Sequence, residues 1–274
     1  MSRPLRQNRL RKHMANDRQE RAARAEKMRK EREKADRKQR NLITVGIVVI
    51  VIALIAVAGV AIKSISDDNK KNEALVNPAN ANKDYGILYT PEDATGKAPA
   101  AGAKPVRVAL YEDFLCPGCG ALEQTAGSFL NQQVAAGNIE IEYRPYAFLT
   151  QQSTNEYSQR AWNAAVCVAD KGGAKAFKAY HDILFANQPA EGGPGPDNKQ
   201  LIAWAKEAGV TGIDSCVNKQ TFTPWVEDAL EQGKDDGVSG TPTMRIGGKD
   251  VSGKDNTIPS VADIQKAIDA AKKA

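Results

Sequence analysis

Hydrophobic and polar positions divide this 274-residue chain into three regimes. From about Asn16 to Arg40, Lys/Arg and Asp/Glu interleave with almost no large apolar residue, the pattern of a solvated charged helix. Leu42–Ile62 then runs for 21 residues without a charge. At about 1.5 Å rise per residue such a helix covers roughly 30 Å, the thickness of a bilayer's hydrocarbon core. Inside lipid every backbone polar group must be satisfied locally, so the expectation is a transmembrane helix over 42–62. Residues 63–84 are polar, rich in Asn, Lys and Asp and without a period, which predicts a flexible linker.

From Tyr85 onward, short strand-like runs give way to helical periods. Val106–Tyr111 has the β-branched and aromatic content of a buried strand, and Ala121–Val134 reads as an amphipathic helix ending at Gly137. Further strands are predicted at Ile139–Tyr143 and Thr243–Ile246. Helices are predicted at Ser158–Val168, Ala174–Phe185, Asn198–Ala208, Thr223–Glu231 and Val261–Ala271. Gly/Pro-rich stretches at Thr95–Pro105 and Pro189–Pro196 read as loops. All seven Tyr, six Phe and three Trp follow the apolar run, so the folded core belongs there, and the length suits one such core.

Charge sets the orientation. Residues 1–40 hold 16 Lys/Arg against 6 Asp/Glu, while the rest of the chain holds 22 against 27. The overall +5 therefore hides a basic tail (1–41) before an acidic body, which argues against a uniformly basic nucleic-acid binder. The tail has no aromatic residue on which bases would stack; a topogenic role, or contact with anionic lipid head groups, suits it better. Positive charge before the span keeps the tail cytoplasmic and places everything after Ile62 outside. Ala56-Val57-Ala58 resembles a processing site, so a cleaved signal peptide is the alternative; a preceding segment of 41 residues favours an anchor.

The four cysteines, Cys116, Cys119, Cys167 and Cys216, all follow the apolar run, as disulfide chemistry in an oxidising compartment requires. Cys116-Pro117-Gly118-Cys119 lies between a predicted strand and a predicted helix. A thiol at a helix N-terminus meets free N–H groups and the positive dipole end, which favour the attacking thiolate. A second thiol three residues on is placed to resolve a mixed disulfide made by the first. Zinc would need two more ligands at similar spacing, and neither Cys167 nor Cys216 forms a second such pair; a structural clip is the other alternative. Cys167, in a predicted helix, and Cys216, just beyond Gly209–Gly212, are expected to form a structural disulfide, with two buried free thiols as the alternative. With only two histidines, one in the tail, no histidine-rich metal centre and no cofactor is expected.

Tyr111-Glu112-Asp113-Phe114-Leu115-Cys116-Pro117-Gly118-Cys119, followed some 120 residues later by Val238-Ser239-Gly240-Thr241-Pro242-Thr243, resembles the DsbA-like thiol:disulfide oxidoreductases, most nearly their membrane-anchored bacterial branch. The resemblance covers about Tyr85 to the C-terminus. It implies an α/β thioredoxin fold over 85–274 with an inserted helical subdomain at about 148–237. It also implies a cis proline at Pro242, after Thr241, packed against the Cys116–Cys119 redox disulfide. Two positions depart from the family: Gly118 stands where DsbA has histidine, and Leu110 where an acid is usual, with Glu112 and Asp113 nearby instead. These two acids are candidates for a proton relay to Cys119, against a plain surface role. His181 is expected to be a helix-surface or packed residue, and Trp162, Trp204 and Trp225 core residues of the insertion.

The expected function is a membrane-anchored extracytoplasmic oxidase that introduces disulfides into unfolded exported proteins. The resemblance implies recycling by a quinone-linked membrane oxidase of the DsbB or VKOR type. An isomerase or reductase kept reduced by a membrane donor, a non-catalytic tethered peptide-binding module, and a metal chaperone are the alternatives.

Overall fold

The computed structural model describes residues 75–98, 102 and 104–273. The basic tail and the transmembrane segment expected over 42–62 lie outside these residues. Among the described residues no helix is long and apolar enough to cross a membrane.

A five-stranded mixed sheet forms the frame: β1 (Ile87–Tyr89), β2 (Val106–Glu112), β3 (Ile139–Pro145), β4 (Thr243–Ile246) and β5 (Lys249–Val251), in the order β1-β3-β2-β4-β5. β2 and β3 are parallel, pairing Val106 with Ile139 through to Glu112 with Pro145; the other neighbours are antiparallel. A parallel pair needs a helical crossover. Here α2 (Pro117–Leu122), a π-helical turn at Glu123–Gly127 and α3 (Ser128–Ala135) supply it. The pattern predicted one regular helix here; the π turn is the difference, and such turns cost regularity in exchange for locally re-aimed side chains. Gly137 (φ 75°) ends the crossover in the left-handed conformation glycine adopts without strain.

Two short elements before β2 were not predicted: β1, and α1 (Pro91–Thr95), whose Thr90 and Asp93 form a capping box. Both are too short to show a period. The linker expected up to Asp84 is held to the body from Pro78 onward. The Ala79 N–H donates to Asp170 Oδ1 (2.7 Å), Asn80 Nδ2 to Ala169 O (2.9 Å) and Asn82 Nδ2 to Glu142 Oε1 (2.8 Å). Its polarity reflects these bonds to the domain, so the folded part begins several residues earlier than composition suggests.

Between β3 and β4 run α4 (Tyr157–Ala186), α5 (Asn198–Glu207), α6 (Asp214–Asn218) and α7 (Thr223–Asp235). The two helices predicted within α4 meet at Gly173, whose φ of 75° and ψ of −177° are not helical, so α4 is two helices joined at a kink there. Cys167 of α4 and Cys216 of α6 are bonded (S–S 1.97 Å), closing a 49-residue separation. Trp162, Trp225, Tyr143, Tyr157, Tyr180, Phe114 and Phe177 are the bulkiest buried side chains, and one core cluster joins them to Leu110, Ile141 and Ile264. Trp162 packs against Phe114 with the rings tilted (4.6 Å between centroids) and donates Nε1–H to Glu112 O (3.0 Å), fastening α4 to the end of β2. α8 (Val261–Ala271), opened by a Ser260/Asp263 capping box, closes the chain on the sheet.

Candidate active site

β2 ends at Glu112, and the next four residues make the turn that starts α2. Asp113 builds it: Oδ1 accepts the Leu115 N–H (2.8 Å) and Oδ2 the Leu149 N–H (2.9 Å). Cys116 is the N-cap of α2, with Pro117 at the first helical position, where a fixed φ suits helix and the missing N–H costs no bond. One turn on, Cys119 and Gly120 donate N–H to Cys116 O (3.0 and 3.2 Å).

The two thiols are free and differ in setting. Cys116 retains 7% exposure and its Sγ lies 3.3 Å from Thr241 O. Cys119 has none, and its Sγ accepts the Asp113 N–H at 3.5 Å. The Thr241–Pro242 peptide bond is cis, immediately before β4, whose Thr243 pairs with Tyr111 of β2; this strand pairing carries residues 125 positions apart into contact. Gly118 fits beneath that loop: a Cβ there would lie 3.1 Å from Pro242 Cδ and 3.6 Å from Cys116 Sγ.

Electrostatics follow the setting. The Cys119 thiol contributes most to lowering Cys116 from 9.0 to about 6; burial opposes this, while the Thr241 side chain and the backbone N–H groups of Cys119 and Gly118 assist. Burial pushes Cys119 well above the usual thiol range, with Cys116 and Glu112 adding to the rise. One thiol is therefore a thiolate at neutral pH and the other retains its proton.

Glu112 and Asp113 are fully buried, which removes the surface role considered for them. Asp113 is raised to about 6 by burial, and both its oxygens are taken by backbone N–H groups. Glu112 is raised to about 7, again by burial, against the pull of His181; its Oε1 has no hydrogen-bond partner. Glu112 Oε2 lies 2.8 Å from Nε2 of His181, which is likewise fully buried; no part of that histidine lies at a helix surface.

Two contributors carry no sequence signal of their own. Gln188, just past α4, donates its amide to Phe114 O (3.1 Å) and Cys116 O (2.9 Å), clamping the turn; a Cβ on Gly120 would collide with it. His181 was visible only as the sole histidine beyond the tail. Glu112, Glu123 and His181 each bring one ligating atom into a set whose members lie within 4.8 Å of one another. The His181–Glu112 contact running through that set has hydrogen-bond length, which one shared proton satisfies. A cavity of about 370 Å³, lined among others by Arg107, Tyr111, Arg144, Asp236 and Arg245, contains none of the cysteines, and its guanidiniums are held by Glu140, Glu142, Asp236 and Asp250.

The thioredoxin family pattern matches residues 95–270. Reduced DsbA of Mycobacterium tuberculosis is 32% identical, with a TM-score of 0.53 over 68% of this chain and 99% of that one. The reduced disulfide bond oxidoreductase DsbG of the same organism is 32% identical, with a TM-score of 0.54 over 71% and 97%. The serine/threonine-protein kinase PknE of M. tuberculosis is 30% identical over 90 residues, 32% of this chain; the chain spans only 16% of the length of that curated relative, so the likeness concerns a segment. A thioredoxin pattern over residues 95–270, with a likeness that runs along almost the whole length of DsbA and DsbG, places this chain among the DsbA-like thiol–disulfide oxidoreductases of the thioredoxin family.

Proposed function

We propose that the protein is a membrane-anchored disulfide oxidase of the cell envelope, with residues 1–41 cytoplasmic, 42–62 spanning the membrane and the DsbA-like domain outside. The observation that carries the direction of reaction is the asymmetry of the two thiols, Cys116 lowered to about 6 and Cys119 raised. A thiolate stabilised at Cys116 favours the dithiol form, and an oxidoreductase whose reduced form is stabilised is a good oxidant. The Cys167–Cys216 bond supports an oxidising compartment, where such bonds persist.

In the proposed cycle, the thiolate of an unfolded exported protein attacks Cys116 Sγ of the Cys116–Cys119 disulfide and expels Cys119. A second client thiolate attacks the client sulfur of the mixed disulfide, forming the client's bond and releasing Cys116 as thiolate. Thr241 and Pro242 line the approach to Cys116, and Glu112 exchanges the Cys119 proton; Asp113 shapes the turn. A quinone-linked membrane oxidase of the DsbB or VKOR type takes the two electrons and restores the disulfide.

Cys119→Ser is the direct test: cells carrying it should accumulate mixed disulfides that vanish on further substitution of Cys116, and the wild-type pair should be mostly oxidised at steady state. A mostly reduced pair would assign the isomerase or reductase role instead, and absence of trapped clients would leave only peptide binding. Protease added to intact protoplasts should digest the domain and spare the tail.

A further inference from the structure

His181 belongs to α4, in the helical insertion, yet it faces the redox turn. Its ring is enclosed by Phe114 (5.6 Å between centroids), Tyr143 (4.6 Å), Phe177 (5.8 Å) and Phe185 (4.9 Å) and has no exposure. Nε2 meets Glu112 Oε2 at 2.8 Å, while Nδ1 lies 3.5 Å from Asp182 Oδ1. Glu112 is equally buried, one residue from Asp113, whose N–H holds Cys119 Sγ. Burial of a carboxylate beside a neutral partner favours its protonated form; an imidazolium partner restores the charge. The imidazolium is itself favoured by Glu112, Asp182 and Glu123 against the cost of burial. The remaining groups facing the pair are Cys119 from α2, Glu123 from the π turn, Tyr143 from β3 and Lys178 from α4.

We propose that His181 is a positioning residue for the resolving thiol: caged by the aromatic side chains around it, it holds Glu112 aimed and ionised as the group that exchanges a proton with Cys119. This rests on the reading of Cys116 and Cys119 as the reacting pair. In the resolving step the Cys119 S–H proton passes to the Glu112 carboxylate, directly or through one water. The Cys119 thiolate attacks Cys116 Sγ, the Cys116–Cys119 bond forms, the bond from Cys116 to the client sulfur breaks, and the client leaves as a thiolate. In the opposite direction a client thiolate opens the disulfide and the Glu112 carboxylic acid returns the proton to Cys119. Asp113 is unsuited, since both its oxygens hold backbone N–H groups. The insertion thereby governs the second thiol without touching a reacting atom.

Mixing reduced protein with oxidised glutathione separates the two steps. The concentration-dependent rate reads attack by Cys116, and the plateau at saturating glutathione disulfide reads displacement by Cys119. His181→Gln keeps an N–H toward Glu112 but loses the positive charge. It should lower the plateau at pH 7 about fivefold and move its half-maximal pH up by about one unit, both following from one shift. The concentration-dependent rate should change less than twofold. Glu112→Gln should lower the plateau at least as far, and the double variant should fall no further than Glu112→Gln alone. Asp182→Asn, at a half-exposed position outside the core, should move the profile the same way by about twofold at pH 7, for half a unit. A plateau profile unmoved in both His181→Gln and Asp182→Asn overturns the proposal and leaves His181 a packing residue. Absence of the concentration-dependent phase would overturn instead the assignment of Cys116 as the reacting thiol, and this inference with it.

Discussion

The low pKa of Cys116 has the Cys119 thiol as its largest cause, and this makes a quantitative prediction. Cys119→Ala removes that donor and leaves the Thr241 side chain and the backbone N–H groups of residues 118 and 119 in place. A hydrogen bond to an ionised group is worth about 1.5–3 kcal/mol, and one pKa unit about 1.4 kcal/mol. Cys116 should therefore move up by about one to two units from about 6. Cys119→Ser, which keeps a donor, should move it less than half as far. The assay is the rate of alkylation by iodoacetamide across pH, checked by the ultraviolet absorbance of the thiolate. The same geometry fixes the sign of linkage. Because the folded-state pKa lies below that of an unfolded thiol, Cys116 adds stability to the reduced form only as pH rises above about 6, and fully above about 9. At pH 7 roughly one unit's worth is realised, close to 30 mV in a two-electron couple and an upper figure, because solvent at the mouth of the site screens the charge. Wild-type Cys116 titrating near an ordinary thiol, or Cys119→Ala titrating with wild type, would refute the account.

Three further outcomes are expected. Replacing Cys167 and Cys216 together by Ala should lower unfolding stability by about 4 kcal/mol, the chain-entropy figure for a loop of this length; denaturant midpoints check it, and Cys116 alkylation should be unaffected. In the oxidised protein, where Cys116 does not titrate, the buried acids and His181 should make stability decline as pH rises. Asp113 (3.8 to about 6) and Glu112 (4.5 to about 7) bind protons more tightly when folded, and so does His181 (6.5 to about 9), so stability falls across roughly pH 4–9. Urea midpoints that rise over this range contradict the assignment, and His181→Gln should flatten the alkaline half. Phe148, 41% exposed, packs on Tyr146, whose hydroxyl donates to Val238 O beside the Thr241–Pro242 loop. Phe148→Ala should raise KM for an unfolded protein substrate threefold to tenfold, for about 1 kcal/mol of lost apolar contact, while leaving the reaction with glutathione unchanged.

Local and global pattern agree over much of this chain. The β-branched and aromatic run before Cys116, the Pro at the first position of α2, the turn glycines and the helical periods of 157–235 each act within a few residues, so their outcome is legible without neighbours. Cys116-Pro117-Gly118-Cys119 is legible for the same reason: the spacing that lets one thiol reach the other is a property of a single helical turn. The break within α4 at Gly173 is legible too, since a glycine interrupts a helical period locally. The two short elements before β2, like α6, fall below the length at which periodicity speaks.

The chain order of charges, apolar runs and cysteines settled by itself where the core would form and which thiols sit one turn apart, because these depend on composition and near spacing. What surrounds those thiols was decided by the tertiary fold. Glu112 and Asp113 are adjacent in sequence and chemically alike, yet one is spent on two backbone N–H groups and the other faces a histidine 69 residues away. Gln188, Thr241 and His181 reach the redox turn through sheet pairing and helix packing, and desolvation there divides a thiolate from a thiol. Proximity across long separations and the loss of water are properties of the packed state, and no short window of sequence contains them.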